Sequence, residues 1–407
     1  SNGCADTATI TVTVYDKPAA AFTVAAVCEG TASSFNNTST GTGITYAWDF
    51  GDGVTDPGTS PTHLYAAAGS YTATLVVTNP DGCSDTAQQQ AVVNGMPVAA
   101  FTAPDACSNN AVQFTNTSTG TTGTCDYNFD DGLQSSLCSP AHIYTTAGTY
   151  NATLTVTTAA GCTDSYTDAV VINPVPVADF TVAPVCEGLA SVFNNTSSIG
   201  SGSITGYGWS FGDGNLSAQQ SPANTYTTYG NYNVTLVVQS DNNCYDTATK
   251  QAVVNPLPQV DFTTGAVCLN QNNTFANTTT IGSGSVATWA WDFGDTQTSA
   301  QQSPAHVYAT QGTYTVSLVA VSDNNCADST SKQVNVYDKP VAAFTASEVC
   351  EGQPTVFTDG STIGTGTITQ WSYDYGDSQT GNTASGNHTY AAAGSYTSVL
   401  VVTSNNN

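Results

Sequence analysis

Positive charge is almost missing from this sequence. Among its 407 residues only 4 are Lys or Arg, against 30 Asp or Glu, and the net charge at pH 7 is −26. A protein that binds nucleic acid needs a basic surface to displace counterions from phosphate. Anionic membrane surfaces likewise attract polybasic segments. The composition therefore excludes nucleic acid as a partner and disfavours attachment to anionic lipid.

Long apolar runs are missing as well. No stretch approaches the roughly 18 consecutive apolar residues of a membrane-spanning helix, so we expect no membrane insertion. The first residues do not resemble a secretory signal peptide, and we therefore expect a mature or excised segment.

Motifs that carry catalysis or bind metal are also missing. We find no Ser-His-Asp constellation, Cys-x-x-Cys, His-Glu-x-x-His or phosphate-binding Gly loop. The histidines lie about 80 residues apart, too far in sequence for one local motif, so packing and hydrogen bonding are the expected roles. They are His63, His142, His306 and His388. We predict that the chain is not an enzyme and has no cofactor.

Calcium is the one cofactor alternative that we keep open. Acidic pairs such as Asp49 and Asp52 offer carboxylates, but a Ca²⁺ ion needs six to eight oxygen ligands. Capping of backbone amides in a turn is the favoured role for these side chains.

What the sequence does contain favours strands and turns. Apolar residues make up 40% of the chain and aromatic residues 10%, and Thr, Ser, Asn and Gly dominate the remainder. Thr and Val suit a pleated surface, whereas Asn and Gly suit turns. Alternating apolar residues in Thr72 to Val77 and in Ile10 to Val14 indicate half-buried strands. We predict an all-β protein.

Internal repetition is the strongest signal. A turn motif reads Trp48-Asp49-Phe50-Gly51-Asp52-Gly53 in its first copy. Its other copies begin at Tyr127, Trp209, Trp291 and Tyr373. A Ser-Pro-x-His-x-Tyr segment follows each turn, with variations, and then a Gly-x-Tyr that opens an alternating strand. These shared elements predict five copies of one structural unit.

The repeated motifs resemble the PKD (polycystic kidney disease) domain, and the resemblance covers nearly the whole chain. It implies an immunoglobulin-like sandwich of seven strands and an extracellular role as a spacer, adhesion or display element. The chain departs from the family pattern at Asp130 and Asn224, and at Thr296 and Ser378 in place of the second turn Gly. We expect these copies to keep the fold with altered turns.

The repeats define the expected domains. Short linkers around a Pro suggest that five sandwiches form a linear rod. The predicted segments are 1–17, the terminal strand of a preceding repeat; 18–96, 97–175, 176–257 and 258–339, PKD repeats one to four; and 340–407, repeat five without its last strand.

The 12 cysteines predict disulfides and an extracellular or cell-surface location. One class follows the first strand of each repeat: Cys28, Cys107, Cys186, Cys268 and Cys350. The other lies in the last hairpin turn: Cys4, Cys83, Cys162, Cys244 and Cys326. Cys125 and Cys138 flank the turn motif of repeat two, and we predict that they pair with each other.

In an immunoglobulin-like sandwich the two cysteine classes lie at opposite ends of a strand about 33 Å long. Bonded cysteines need Cα atoms within about 7 Å. We therefore predict bridges between successive repeats, namely Cys28–Cys162, Cys107–Cys244 and Cys186–Cys326. The alternative is pairing within a repeat, such as Cys28–Cys83, if the hairpin folds over the sandwich.

The two ends of the chain look complementary. Residues 4–17 match the last strand of repeat four, and repeat five stops before its own last strand. One hypothesis is that residues 4–17 complete repeat five of a neighbouring copy and give a head-to-tail homopolymer. Cys268 would then face the next copy's Cys4, and Cys350 its Cys83. The alternative is that the segment was cut from a longer chain of the same repeats.

Four sequons recur at one repeat position, at Asn37, Asn116, Asn195 and Asn277. They are candidates for glycosylation, although a shared turn requirement explains them equally well. For function we predict a structural extracellular filament or stalk. The alternatives are an adhesin that binds glycan or protein through its loops, and an accessory spacer of a secreted hydrolase.

Overall fold

The computed structural model describes residues 3–120 and 123–406. Residues 1 and 2 of the predicted terminal strand, and residue 407 of the predicted repeat five, lie outside this range. The described residues contain strands and turns but no helix. Within the same range we find no helix with the length and apolar character needed to cross a membrane.

Repeat one is a two-layer sandwich. Its strands are β1 Phe22–Val24, β2 Val27–Cys28, β3 Ser33–Asn37, β4 Thr45–Asp49, β5 Thr55–Asp56, β6 Thr62–His63, β7 Gly69–Thr78 and β8 Ser84–Asn94. One sheet has the order β1-β3-β6, and the other has the order β2-β8-β7-β4-β5. Since β1 and β2 are successive parts of one edge strand that changes sheets, the eight segments amount to a seven-stranded immunoglobulin-like sandwich.

Repeats two to four keep this plan with the third strand split in two. Repeat two has β9 Phe101–Thr102, β10 Ala106–Cys107, β11 Ala111–Gln113, β12 Thr115–Asn116, β13 Thr124–Asn128, β14 Gln134–Ser135, β15 Ala141–Ile143, β16 Gly148–Thr157 and β17 Thr163–Asn173. Repeat three has β18 Phe180–Thr181, β19 Val185–Cys186, β20 Ala190–Val192, β21 Asn194–Asn195, β22 Ile204–Ser210, β23 Leu216–Ser217, β24 Ala223–Thr225, β25 Gly230–Ser240 and β26 Tyr245–Asn255. Repeat four has β27 Phe262–Thr263, β28 Val267–Cys268, β29 Asn272–Thr274, β30 Ala276–Asn277, β31 Val286–Asp292, β32 Thr298–Ser299, β33 Ala305–Val307, β34 Gly312–Ser322 and β35 Ala327–Tyr337.

Repeat five is smaller than the others. It has β36 Phe344–Ala346, β37 Pro354–Asp359, β38 Ile368–Asp374, β39 Thr380–Gly381, β40 Gly386–Thr389 and β41 Val399–Ser404. Its second sheet has the order β39-β38-β41, so β41 lies at an edge that a last strand covers in the other repeats.

Each sandwich encloses an aromatic core. In repeat one, Trp48 and Phe50 are both 1% exposed, and Phe22 and Phe35 pack against the Trp48 ring. Burial alternates along β7, as a strand with one face on the core requires. The all-β fold of tandem immunoglobulin-like sandwiches predicted from the sequence is confirmed.

The alternating segment Ile10 to Val14 is not a half-buried strand, and that prediction is wrong. Residues 3–18 form no strand, and the side chain of Val12 is 74% exposed. A strand needs a partner for its backbone hydrogen bonds, and none of the described residues pairs with this segment.

The chain divides into two compact units. The first comprises Ser1–Val177, Ser198–Thr205 and Val238–Asp246, and the second comprises Ala178–Ser197, Gly206–Val237 and Thr247–Asn407. The first unit thus includes the hairpin end of repeat three, because the Cys107–Cys244 disulfide ties that hairpin to repeat two.

Candidate functional site: the repeat turns and junctions

The turn motif is closed by its own aspartates. Asp49 Oδ1 accepts a hydrogen bond from the Gly51 amide at 2.9 Å, and Asp52 Oδ1 accepts one from the Val54 amide at 3.1 Å. Gly51 has φ of 81°, and a Cβ at this position would lie 2.5 Å from the carbonyl oxygen of Thr72. A glycine here therefore avoids both a strained backbone conformation and a close contact with the neighbouring strand.

The residues that replace turn glycines adopt the same backbone conformation. Asp130, Thr296 and Ser378 have φ of 64°, 75° and 68°. We expected altered turns in these copies, and the structure instead keeps the turn with a non-glycine residue in the left-handed region. Asp130 Oδ2 accepts a hydrogen bond from the Asn151 amide at 2.9 Å, which stabilises that turn. The left-handed conformation remains unfavourable for a β-branched residue such as Thr296.

Each histidine pairs with an aspartate of the turn motif in its own repeat. His63 Nε2 lies 2.6 Å from Asp52 Oδ2, and its ring stacks on Phe50 with centroids 4.3 Å apart. The same pair recurs at 2.7 Å in three other repeats: His142 with Asp131, His306 with Asp295, and His388 with Asp377. In repeat three the amide of Asn224 donates to Asp213 at 2.8 Å. The histidines thus hydrogen-bond and pack within their own repeats, which are the roles expected from the sequence.

These hydrogen bonds change the acidity of the aspartates. Burial acts to raise the pKa of Asp52, but hydrogen bonds from His63 and the Val54 amide outweigh it and hold that pKa below its ordinary value. The pKa of Asp213 is lowered in the same way against burial, with Asn224 as donor. The turn therefore favours the ionised aspartate whether its partner is a histidine or an asparagine.

A tyrosine two residues after each histidine position forms a hydrogen bond to the backbone of the turn. The Tyr65 hydroxyl donates to the carbonyl oxygen of Phe50 at 2.9 Å. Burial, together with nearby Asp52, raises the pKa of Tyr65 to about 12. The hydroxyl therefore stays protonated and remains a donor. The bond recurs in all five repeats, from Tyr144, Tyr226, Tyr308 and Tyr390.

Across residues 3–120 and 123–406, no group of three or more His, Cys, Asp or Glu side chains is arranged to hold a metal ion. Asp49 and Asp52 direct oxygens at backbone amides, which is the turn-capping role. The fold thus places these carboxylates as structural acceptors.

The residues that the structure describes form four disulfides, which are the four pairs predicted from the sequence within one chain. Three join the first strand of one repeat to the last hairpin of the next: Cys28–Cys162, Cys107–Cys244 and Cys186–Cys326, with Cα separations of 5.7, 5.8 and 5.6 Å. The fourth, Cys125–Cys138, lies within repeat two. Pairing within a repeat between the two cysteine classes does not occur among them.

Both partners of the first junction are fixed by backbone structure. Cys28 ends β2, which pairs in parallel with the end of β8. Cys162 lies in a hairpin turn in which its amide nitrogen donates to Thr158 Oγ1 at 3.1 Å. The ordered backbone on each side holds the two Cα atoms at a distance that a disulfide spans without distortion.

Cys4, Cys83 and Cys350 take no part in these bridges. Cys4 and Cys350 are exposed and Cys83 is half-buried. Cys268 ends β28 and is also half-buried. Their predicted bonds to neighbouring copies stay predictions.

The sequon asparagines act as turn acceptors. In each, Oδ1 accepts a hydrogen bond from the amide two residues ahead, at 2.9 to 3.0 Å, in Asn37, Asn116, Asn195 and Asn277. Asp359 does the same in repeat five at 3.0 Å. The Nδ2 atom of Asn277, to which a sugar would be attached, is buried. A glycan at Asn277 is therefore incompatible with the folded turn, and the other three sites stay predictions.

Lysine–aspartate ion pairs near the start of the sandwich, in repeats one, three and four, were not predicted from the sequence. Lys250 Nζ lies 2.6 Å from Asp179, and Lys332 Nζ lies 2.7 Å from Asp261. The lysine and the aspartate each recur after 82 residues, and this repetition is the sequence signal that could have predicted the pairs. In repeat one the partner of Asp85 is Lys17, at 2.5 Å. Hydrogen bonding by Lys17 lowers the pKa of Asp85 to about 2.

Comparison with known proteins identifies the repeated unit. The family model of the PKD domain matches residues 15–93, 94–173, 173–255, 254–336 and 337–407. The chain is 30% identical over 154 residues to the pre-pro-metalloprotease PrtV of Vibrio cholerae, which covers 37% of this chain and 16% of that protein. It is 40% identical over 67 residues to a microbial collagenase of Vibrio alginolyticus, which covers 16% of this chain and 8% of that protein. The chain thus spans less than a fifth of the length of these curated relatives.

Single solved domains match individual repeats. The PKD1 domain from the Vibrio cholerae metalloprotease PrtV is 40% identical, with 20% of this chain and 96% of that domain covered and a TM-score of 0.19. The PKD1 domain of Vibrio anguillarum Epp is 34% identical, with 20% and 95% covered and a TM-score of 0.19.

Proposed function

The chain belongs to the PKD domain family, and on that premise we propose that it is a structural segment of an extracellular stalk or filament in which disulfides between repeats limit extension under tension. The four disulfides are typical of an oxidising, extracytoplasmic environment. The repeated side chains are committed to turns and cores, which supports a role without chemistry of its own.

The interleaved order of the disulfides carries the proposal. Cys28 bonds to Cys162, and Cys186 bonds to Cys326. A covalent path from Cys28 to Cys326 therefore crosses two bridges and only the roughly 24 residues between Cys162 and Cys186. Fully unfolded, that path reaches at most about 80 Å at ~3.5 Å per residue, whereas the reduced chain of about 300 residues reaches ~1,000 Å. The bridges thus limit extension even if every repeat unfolds.

Force spectroscopy on the full chain tests this proposal. Pulled between the two chain ends under oxidising conditions, residues 28 and 326 should separate to no more than the ~80 Å of the short path. After reduction the same chain should release the full contour length. Equal extension with and without reductant would contradict the mechanical role.

A spacer next to a catalytic domain is the second candidate. It is favoured by the similarity to parts of a metalloprotease and a collagenase. Peptide mapping of the intact natural protein distinguishes the two candidates, because the spacer function requires a hydrolase domain in the same polypeptide. An adhesin that binds glycan through its loops is the third, and a glycan array probed with the full chain would test it.

A further inference from the structure

Repeat two carries a disulfide at a position where the other repeats carry an aromatic ring. Cys125 lies on β13, two residues before Tyr127 of the turn motif. The corresponding residues of the other repeats are Tyr46, Tyr207, Trp289 and Trp371. Its partner Cys138 lies in the loop after β14, outside the strands. This bridge is therefore an addition to one repeat and is not part of the shared plan.

In repeats one, three and four a different bond holds the equivalent loop. The indole nitrogen of Trp48 donates to the carbonyl oxygen of Gly58 at 2.9 Å. The same bond recurs at 2.9 Å from Trp209 to Gln219 and from Trp291 to Gln301. In repeat two the Tyr127 hydroxyl lies 3.5 Å from the Cys138 carbonyl oxygen, which is longer than an ordinary hydrogen bond between oxygens. The disulfide thus takes over a role that tryptophan has in the other three repeats.

The two sulfurs of this bridge differ in accessibility. Cys138 is exposed, whereas Cys125 is 5% exposed and belongs to the core of repeat two. In the three bridges between repeats the hairpin cysteines are at most 1% exposed, and their first-strand partners are half-buried. A thiolate must reach the sulfur that it attacks. Attack on this bridge is therefore directed at Cys138, and Cys125 becomes the leaving group.

Cys125 has a hydrogen-bond donor beside it. Asn116 Nδ2 donates to Cys125 Sγ at 3.4 Å. The turn fixes the orientation of this amide, because Asn116 Oδ1 accepts from the Ser118 amide at 2.9 Å. Burial opposes negative charge on Cys125 Sγ, and a donor aimed at the sulfur offsets that penalty. Thiol exchange is faster when the leaving sulfur is better stabilised as a thiolate.

We propose that Cys125–Cys138 is a thiol-exchange site, at which a small-molecule thiol bonds to Cys138 and releases Cys125. The exposed sulfur accepts the incoming molecule, and Asn116 stabilises the sulfur that departs. The inference goes beyond the structural role proposed above and does not rest on it.

The exchange is balanced without a further oxidant or reductant. The incoming thiolate forms an S–S bond to Cys138 Sγ as the bond between Cys138 and Cys125 breaks. Cys125 Sγ keeps the electron pair and takes up the proton that the incoming thiol lost. A second small thiol completes the reduction by attacking the mixed disulfide, which frees Cys138 as a thiol and releases the small molecule as its own disulfide.

Exchange at this site frees one loop and leaves the junctions intact. The bridge lies within repeat two, so its opening removes the covalent attachment of the loop 136–140 to β13. Repeats one and two stay joined by Cys28–Cys162, and repeats two and three by Cys107–Cys244. The site therefore responds to thiols in the surroundings by a local opening.

A glutathione titration of the full oxidised chain tests the site. Accessible thiols are blocked with iodoacetamide, the reagent is removed, and reduced glutathione is added to the folded chain. N-ethylmaleimide then traps the released thiols, and non-reducing peptide mapping locates both labels. Glutathione should appear on Cys138 and N-ethylmaleimide on Cys125 while the three bridges between repeats are still present. Hydrogen exchange of 136–140 should rise together with the Cys138 adduct.

Two matched variants test the role of the amide. Asn116→Asp removes the donor but keeps the turn acceptor, since Asp359 accepts the same bond from the Ser361 amide at 3.0 Å in repeat five. Formation of the Cys138 adduct should slow by about tenfold or more. Asn37→Asp makes the same change in repeat one and should leave the rate unchanged. Unchanged hydrogen exchange of 124–128 before glutathione is added shows that the first variant is folded.

The other outcomes each overturn the proposal. These are adducts that form first on a bridge between repeats, an adduct on Cys125 in place of Cys138, or equal rates for the parent and Asn116→Asp. The Cys125→Ser, Cys138→Ser variant should take up no glutathione under the same conditions, and uptake would also overturn the assignment. None of these results changes the extension of the oxidised chain under force, so the mechanical role is judged separately.

Discussion

Cys28 and Cys162 are bonded across 134 residues of sequence, and they belong to different repeats. Their disulfide joins the first-strand loop of repeat one to the last hairpin of repeat two. Cys107 and Cys186 likewise each bond to the hairpin cysteine of the following repeat. At each of these junctions, successive repeats are therefore joined twice, by the peptide chain and by a disulfide.

Removing the Cys186–Cys326 bridge should lengthen the extension of a pulled, oxidised chain. With Cys186→Ser and Cys326→Ser, the shortest covalent path from position 28 to position 326 grows from ~80 Å to ~430 Å of extended chain. Single-molecule force spectroscopy measures this difference directly. The Cys125→Ser, Cys138→Ser variant is the matched control, because its bridge lies off the parent's path. An identical extension for the two double variants would contradict the interleaved path.

Replacing Thr296 by glycine should stabilise repeat four. Thr296 has φ of 75°, a conformation that costs a non-glycine residue about 1 kcal/mol or more. At the corresponding Gly53 of repeat one, a Cβ would meet nothing within 4 Å, so space plays no part and backbone conformation decides the effect. Hydrogen exchange of peptides from 312–322, followed by mass spectrometry, should show slower local opening.

The reverse substitution provides the control for this turn. Gly53→Thr should accelerate exchange in 69–78 by a similar factor and leave repeat four unchanged. Faster exchange in Thr296→Gly would mean that the threonine side chain stabilises the turn by a contact that outweighs its backbone cost.

Removing the Tyr65 hydroxyl should destabilise repeat one. The hydroxyl donates to the buried carbonyl of Phe50, and an unsatisfied buried acceptor costs about 1–3 kcal/mol. Tyr65→Phe should therefore raise the exchange rate of β4 and β7 amides by roughly one to two orders of magnitude. Tyr71→Phe is the control, because its hydroxyl bonds at the surface to Ala67 and its loss should have little effect. Equal effects from both variants would contradict a special contribution of the buried hydrogen bond from Tyr65 to Phe50.

Acid should loosen the repeat turns through their aspartates. The pKa of Asp52 is lower in the folded chain than its ordinary value of 3.8. A carboxylate with a depressed folded pKa contributes stability that is present above the unfolded value and is lost as pH falls through the folded value. Exchange of the peptide 48–65, corrected for intrinsic rates, should therefore rise relative to pH 6 as the pH falls below about 4.

Two substitutions separate the aspartate from the histidine in this effect. Asp52→Asn removes the titrating group and should flatten the acid response of repeat one. His63→Asn reproduces the Asn224–Asp213 pair of repeat three, in which the pKa of the aspartate is also lowered, and should keep the response. A response that survives Asp52→Asn would show that another group is responsible.

Much of this molecule could be predicted from the sequence because its physical requirements are local and occur five times. A Trp two residues before a Phe shares a face with it in any strand, so Trp48 and Phe50 could be assigned to the core. Gly51 and its flanking aspartates indicate a tight turn wherever they stand in a fold. Once the sandwich was assumed, strand length separated the two cysteine classes and favoured pairs between repeats, with pairing within a repeat as the alternative.

Other features depend on contacts that sequence does not reveal. Ile10 to Val14 alternates as a strand does, but a strand exists only where a neighbour accepts its hydrogen bonds, and within the described chain none does. Thr296 and Ser378 were expected to change their turns, yet the ladders on either side fix the backbone and impose a positive φ on both. The Asn277 sequon could be matched by pattern, but packing against its neighbours buried the Nδ2 atom.

The sequence by itself determined the repeated unit, its core face and its turns, because periodicity and turn chemistry act over a few residues. Only the tertiary structure decided between the two disulfide schemes that the sequence left open, and which side chains are covered. Those outcomes depend on distances between residues 80 to 140 positions apart, and a folded chain alone brings such residues within the few ångströms over which bonds and packing act.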